Sequence, residues 1–244
     1  MRVAIFGASG PTGQLLTRQV LDAGLTAVAI TRRPGEYPIS APGLRVAEAD
    51  ATEPAAVAAA IAGTDAVVSV LGAPFSRQPV DVYSSSAQAF SAAMDDAGVR
   101  RLVVTSSAAL SGWTDPNWSW FDRTMAHQVV ARLGRTVYDD MRRMEKIVTA
   151  AELDWTIMRP LGLANIDPPT EYRVAIDHIP GRQTARHDLA SAIVDQLTGG
   201  EHIRQVVAVA TINKHQSLGE IIWREGIKPN LPSRLVGSPQ GNSR

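Results

Sequence analysis

The sequence predicts an α/β fold built on a doubly wound parallel sheet with helices on both faces. Three observations predict it. Short apolar runs alternate with longer stretches of helix-forming residues, and most of those stretches end near a glycine. The apolar runs show no polar alternation, which is expected of strands that helices cover on both sides.

The alternation of apolar runs and helix-forming stretches predicts the position of each element. Strands are predicted at 3–6, 27–30, 44–46, 66–70, 102–104 and 155–158, with late strands at 173–176 and 205–209. Helices are predicted at 13–23, 53–62, 83–97 and 138–152, and Asp188 is expected to open another at Leu189. We expect one domain over 1–223 with a rim insertion at about 110–135, followed by a C-terminal tail at 224–244.

Composition excludes several classes of protein. The 24 Lys and Arg balance the 24 Asp and Glu, so no overall field favours nucleic acid or an anionic membrane as a partner. The chain has no cysteine, and its five histidines show no metal-ligand spacing, so we expect no metal. The first strand begins almost at Met1 without a secretory leader, which predicts a cytoplasmic protein.

The first βα turn reads Gly7-Ala8-Ser9-Gly10-Pro11-Thr12-Gly13. Glycines there permit a tight turn, close approach of the backbone to a pyrophosphate and close packing of helix on strand. The helix N-terminus adds free N–H donors. A glycine-rich turn without a ligand is the alternative. We interpret the segment as the phosphate loop of a Rossmann-type fold, with Gly7, Ser9, Gly10, Pro11, Thr12 and Gly13 as cofactor-binding residues.

The residues after the second strand predict which dinucleotide binds. An acidic residue here would bond the ribose 2′-OH of NAD, but the chain has Thr31-Arg32-Arg33. Arginine suits a 2′-phosphate, so we expect NADP(H) as the cofactor. Arg32 is the main expected phosphate ligand, and Arg33 a second ligand or a cap over adenine. Two solvated surface arginines are the alternative.

Further cofactor-binding residues are expected where other strands end, because ligands of these sheets bind outside the carboxyl ends of the strands. Asp50 has an alternative role as the N-cap of the following helix. The residues expected here are Asp50, Ala51, Leu71, Gly72, Thr105 and Ser106.

Three segments together resemble the atypical short-chain dehydrogenases/reductases with an NmrA-like NAD(P)H-binding domain. They are G-A-S-G-P-T-G at the start, V-V-T-S-S-A-A at 103–109 and L-D-W-T-I-M-R-P at 153–160. Within this group the pattern is most similar to the biliverdin-IX-beta/flavin reductases, which have a histidine where this chain has Leu161-Gly162-Leu163. The resemblance implies that Ser107 lies near the nicotinamide and that Arg159-Pro160 passes beside the cofactor.

Ser107 and Tyr138 are the candidate catalytic residues. Typical short-chain dehydrogenases use Ser and Tyr-x-x-x-Lys, in which lysine lowers the tyrosine pKa. Here Arg142 follows Tyr138 at that spacing, but the family register places Val137 and Met141 at the Tyr and Lys positions, about 100° away around a helix. The alternatives are a strand-end serine, a partly buried helix aromatic, and water as the proton source.

The aromatic segment 113–121 predicts a lid that stacks on a flat substrate, and packing against the core or a subunit is the alternative. The expected substrate-binding residues are Trp113, Trp118, Trp120, Leu161 and Leu163. They belong to the rim and to a small C-terminal substrate-binding portion.

The function expected from these features is an NADPH-dependent oxidoreductase. It passes hydride to a small aromatic or conjugated substrate of the flavin, quinone, tetrapyrrole or ketone type. An NADP(H)-binding redox sensor without catalysis is one alternative, and a non-redox isomerase or dehydratase is another. The expected partner is a small molecule, and the expected state is a monomer or homodimer.

Overall fold

A computed structural model describes residues 1–76, 78–120, 124, 132, 134–168 and 170–212. Three predicted regions lie outside the described residues. They are the tail at 224–244, the last part of the predicted domain at 213–223, and much of the rim insertion at 121–133.

Eight strands of the described chain form one sheet. They are β1 (Arg2–Phe6), β2 (Thr26–Thr31), β3 (Leu44–Glu48), β4 (Ala66–Ser69), β5 (Arg101–Thr105), β6 (Asp154–Pro160), β8 (Tyr172–Ile176) and β10 (Gln205–Thr211). The order is β3-β2-β1-β4-β5-β6-β10-β8. All neighbours are parallel except β10 and β8, which are antiparallel. Two further strands, β7 (Gly162–Ala164) and β9 (Gln183–Ala185), form a small parallel sheet.

Helices cover both faces of the large sheet. They are α1 (Pro11–Asp22), α2 (Pro54–Ile61), α3 (Val82–Ala97), α4 (Arg135–Ala150) and α5 (Arg186–Gly199), with short 3₁₀ helices at Pro34–Glu36 and Ala108–Leu110. The buried side chains form two main layers: Val3 and Ile5 pack with α1 and α5, whereas Phe6 packs with α2, α3 and α4. Successive strand residues point to opposite faces, so both faces are apolar. The predicted doubly wound fold is confirmed.

One predicted helix start is wrong. Helix α5 begins at Arg186, so Asp188 lies inside its first turn, where the buried carboxylate accepts hydrogen bonds from the hydroxyls of Thr170 and Thr211. Helix α2 begins at Pro54, close to the predicted start, and its N-cap is Glu53. The alternative N-cap role of Asp50 is therefore wrong, and its carboxylate accepts hydrogen bonds from the backbone N–H and the hydroxyl of Thr52.

Two features are absent from the described residues. None of the helices found there has the length and apolarity to cross a membrane. The same residues contain no group of three or more histidine or acidic side chains arranged to hold a metal ion.

Candidate cofactor and substrate site

A cavity of about 1670 Å³ opens at the carboxyl ends of β1, β2, β4, β5 and β6. Strand β1 lies between β2 and β4, so the strand order reverses there, which is where ligands of doubly wound sheets bind. The volume exceeds the few hundred to about 1000 Å³ of an ordinary small-molecule pocket. The predicted residues on its walls are Gly7, Ser9, Gly10, Pro11, Thr12, Arg32, Arg33, Asp50, Ala51, Leu71, Gly72, Thr105, Ser106, Ser107, Trp113, Trp118, Tyr138, Pro160, Leu161 and Leu163.

The phosphate loop depends on its glycines. Gly7 has φ +80, and a Cβ there would lie 2.7 Å from the carbonyl oxygen of Val70. A Cβ on Gly13 would lie 2.2 Å from the carbonyl oxygen of Gly7. Gly10 is the N-cap of α1 and provides no side-chain cap, so N–H groups of the first turn lie beside the cavity. This arrangement fits an anion such as a pyrophosphate.

Ser9 and Thr31 connect the loop to the end of β2. The Ser9 hydroxyl donates to Oγ1 of Thr31 at 2.7 Å, and the Gln14 amide donates to the carbonyl oxygen of Ser9 at 2.9 Å. These bonds fix the loop beside the residues that follow β2.

Arg32 and Arg33 are exposed and both line the cavity. Arg33 is 3.3 Å from the carboxylate of Glu36 in a solvent-exposed ion pair. Hydrogen bonds from the backbone and side chain of Thr52 lower the pKa of Asp50, and the charge of Arg32 contributes to the same shift. Arg32 therefore places a positive charge on the cavity wall next to the end of β3.

A half-buried hydroxyl, that of Thr105, and a buried one, that of Ser106, lie at the end of β5. Thr105 donates to the carbonyl oxygen of Ser69 at 3.2 Å. The Oγ of Ser106 is buried without a hydrogen-bond partner among the described residues, although Ser106 lines the cavity. A buried hydroxyl without a partner is costly, so a bound polar ligand would satisfy it. The glycine loop and this hydroxyl fit a dinucleotide.

Ser107 and Tyr138 are brought together: both line the cavity, and the Ser107 hydroxyl lies near enough to act on the Tyr138 phenol. Ser107 accepts a hydrogen bond from the backbone N–H of Ala109 at 3.3 Å. Burial raises the pKa of Tyr138, and the nearby Ser107 hydroxyl offsets part of that rise. The two hydroxyls can donate hydrogen bonds to the carbonyl oxygen of a molecule bound in the cavity.

Packing holds the Tyr138 ring in place. The ring lies edge-on to Phe75 at 6.0 Å between centroids. Gly134 makes this possible, since a Cβ there would lie 2.6 Å from Tyr138 and 2.9 Å from Phe75. Arg142, one turn along α4, is 2.8 Å from Asp139. Its guanidinium is thus paired with a carboxylate on the same helix.

Val137 and Met141 occupy the positions that the family register gives to Tyr and Lys. Both are buried and both contribute to the cavity wall. The family positions are therefore apolar, and Tyr138 reaches Ser107 from the neighbouring position.

The rim is closed by contacts between 113–118 and 178–181. Trp113 stacks against His178 at 4.8 Å between ring centroids. The Trp118 indole N–H donates to the carbonyl oxygen of Gly181 at 3.0 Å, and the backbone N–H of Gly181 donates to Asp115 at 2.9 Å. We call this set of contacts the rim latch.

Three predicted site residues lie off the cavity. Arg159 forms a two-point ion pair with Glu145, at 2.9 and 2.6 Å, and so faces α4 rather than the cofactor site. Trp120 is 77% exposed and does not contribute to the cavity wall. Gly13 packs under the loop instead of lining the cavity.

The sequence interpretation missed Arg186. This first residue of α5 lines the cavity and donates to Oγ1 of Thr12 at 3.2 Å and to Oδ1 of Asn165 at 2.9 Å. Arg186 thus adds a guanidinium beside the phosphate loop, in addition to that of Arg32 on the cavity wall. Its position at the start of a helix is the one sequence signal, and the contact with Thr12 depends on the packing of α5 against α1.

The fold and the site define an NAD(P)-binding α/β protein of the Rossmann type. Residues 7–199 match the sequence profile of the NAD(P)H-binding family, and the chain belongs to this family.

Solved structures share the architecture. A wide-type short-chain dehydrogenase/reductase of Veillonella parvula in complex with NADP is 22% identical, with a TM-score of 0.73 over 88% of this chain and 96% of that one. A Burkholderia pseudomallei protein described as exported is 25% identical, with a TM-score of 0.66 over 86% and 99%. A Bacteroides thetaiotaomicron protein provisionally assigned as an epimerase is 21% identical, with a TM-score of 0.70 over 88% and 99%. The predicted family resemblance is confirmed, and the narrower similarity to biliverdin-IX-beta/flavin reductases stays a prediction.

Proposed function

We propose that this protein is a reductase that uses NADPH to transfer hydride to a small aromatic or conjugated substrate. The observation that carries the proposal is the neighbouring hydroxyls of Ser107 and Tyr138 on the wall of a cavity that also contains the phosphate loop. The single-domain organisation, a cytoplasmic location and a monomeric or homodimeric state belong to the same proposal and rest on the sequence alone.

Arg32 and Arg186 support the cofactor half of the proposal. Arg32 directly follows β2, at the position where a carboxylate would repel a 2′-phosphate, and this favours NADPH over NADH. Arg186 lies beside Thr12 of the loop, where a guanidinium can pair with a pyrophosphate. We assign the 2′-phosphate to Arg32 and the pyrophosphate to the loop with Arg186.

The direction of the reaction follows from Tyr138. When bound, NADPH supplies the hydride. Because burial raises the Tyr138 pKa, the phenol is protonated at neutral pH and can donate its proton to the oxygen of a carbonyl under reduction. Alcohol oxidation would need the phenolate, which the raised pKa makes scarce. The site therefore favours reduction, and Tyr138 recovers its proton from solvent.

The substrate half of the cavity favours a flat molecule. Its walls include the rings of Phe75, Trp113, Trp118 and His178. Aromatic walls stack on conjugated ligands, so flavins, quinones, tetrapyrroles and aromatic ketones are the classes to test.

A second candidate is an NADP(H)-binding redox sensor that does not turn the cofactor over. The apolar Val137 and Met141 at the usual Tyr and Lys positions favour it.

NADPH oxidation, followed by absorbance against a panel of these acceptors with NADH as control, tests the two candidates. The reductase predicts turnover that falls in Ser107→Ala. Tight NADPH binding with no acceptor consumed would favour the sensor.

A further inference from the structure

One stripe of α4 carries two arginines and a carboxylate next to Tyr138. Arg135, Tyr138, Asp139 and Arg142 are spaced i, i+3, i+4 and i+7, which places their side chains on one helix face. All of them line the cavity. The same surface therefore presents the phenol and the charged groups to a bound substrate.

The two arginines share one carboxylate. The Nε of Arg135 is 3.7 Å from Oδ2 of Asp139, and Nη1 of Arg142 is 2.8 Å from Oδ1. One carboxylate balances one guanidinium, so the trio of Arg135, Asp139 and Arg142 has a net positive charge. A guanidinium has several N–H donors in a planar fork, and the contact with Asp139 involves only part of the Arg142 fork.

The opposite wall does not reverse this charge. Asp115 and Arg182 contribute opposite charges there. The buried Asp115 carboxylate accepts the backbone N–H groups of Asn117 and Gly181 at 2.8 and 2.9 Å. Among the described residues of the substrate half, the excess positive charge thus lies on α4.

We propose that this trio, the α4 arginine site, binds a carboxylate of the substrate. A planar carboxylate matches the geometry of the Arg142 fork, and Arg142 is one helical turn from Tyr138. The substrate class is then a conjugated or aromatic oxo acid, with its carbonyl at Ser107 and Tyr138 and its carboxylate at Arg142. The position of the carbonyl rests on the proposed reductase function, whereas the carboxylate site does not.

Binding of a matched acid and ester tests the site without turnover. Isothermal titration of the protein saturated with NADP⁺ would use 4-formylbenzoate and methyl 4-formylbenzoate. We expect the acid to bind about tenfold more tightly than the ester, the effect of one charge-assisted hydrogen bond. Arg142→Ala should abolish this preference.

Two further variants separate a charge effect from damage to the helix. Lys146→Ala removes an exposed cation of the same helix outside the cavity, and the preference for the acid should persist. Asp139→Asn removes the competing carboxylate, so the acid should bind more tightly than to the wild type while the ester is unaffected. A purely structural role of Asp139 would weaken both ligands.

Equal affinities for acid and ester, no binding of either, or a preference that survives Arg142→Ala would overturn the proposal. Its failure is distinguishable from failure of the reductase function. Acid preference without any NADPH oxidation contradicts the reductase alone. Turnover of acceptors without acid preference contradicts the α4 arginine site alone.

Discussion

Arg32 is the side chain that we propose discriminates between NADPH and NADH. We expect Arg32→Ala to weaken NADPH binding about 10- to 100-fold, the effect of losing a charge-assisted hydrogen bond, and to leave NADH binding nearly unchanged. Fluorescence titration of both cofactors measures this. Arg33→Ala is the matched control, with a smaller effect because Arg33 is paired with Glu36. Equal losses of affinity for the two cofactors would mean that Arg32 does not bind the 2′-phosphate.

Tyr138 is the residue that decides whether a protein group supplies the proton. Tyr138→Phe keeps the ring packed on Phe75 and removes the hydroxyl, so we expect kcat to fall about 100-fold, within the usual range for a general acid. NADPH oxidation with an accepted substrate measures it. An unchanged kcat would identify water as the proton source.

The pH profile follows from the same residue. The ordinary pKa of a tyrosine is 10.0, and that of Tyr138 is raised above it. The phenol therefore remains mostly protonated as the pH rises towards 10.0. We therefore expect wild-type kcat for reduction to stay level from neutral pH towards that value. A decline well below it, absent in Tyr138→Phe, would mean that the tyrosine pKa is lowered in the complex.

At the scale of elements, the β1–α1 turn is sensitive to substitution because a Cβ on Gly7 or Gly13 would meet backbone atoms. Gly13→Ala would place a Cβ 2.2 Å from the Gly7 carbonyl, a backbone atom that cannot rotate away. We expect a loss of about 1–3 kcal/mol in the free energy of unfolding and weaker binding of NADPH and NADH alike. Urea denaturation and cofactor titration measure the two effects.

Gly35→Ala is the control for that substitution. Its Cβ would meet no atom within 4 Å, and its φ is not positive, so stability and affinity should stay near those of the wild type. Wild-type stability of Gly13→Ala would contradict the account of this turn.

The central elements were predictable because their signals are local. Strands β1, β2, β4, β5 and β6 are mostly buried on both faces and so appear as continuous apolar runs, whereas the edge strand β3 is partly exposed. The phosphate loop is recognisable from its glycines. The helix start assigned to Asp188 was wrong, as was the alternative N-cap role of Asp50, because a capping residue and a carboxylate with other partners look alike in a sequence. The position of Arg159 could not be predicted either, because its ion pair with Glu145 joins residues on different elements.

At the scale of the whole molecule, the cavity has two halves of different origin. The strand ends and the phosphate loop form the proposed cofactor half, whereas α4, the segment at 161–163 and the rim latch form the proposed substrate half. Contacts such as Trp118 with Gly181 join segments about sixty residues apart and leave no periodic signal. This is why the aromatic segment could be recognised as part of a rim while its partner could not.

The rim latch gives a prediction that separates these halves. Trp118→Phe keeps an aromatic ring but removes the N–H that donates to Gly181. A hydrogen bond contributes about 1 kcal/mol, so we expect KM for the substrate to rise about fivefold. NADPH affinity should be unchanged, because the latch contacts join 113–118 to 178–181 and do not involve the phosphate loop. Trp120→Phe is the control, since Trp120 is 77% exposed and off the cavity wall, and its kinetics should match the wild type. Equal effects of the two substitutions, or a loss of NADPH affinity in Trp118→Phe, would mean that the latch does not act on the substrate half.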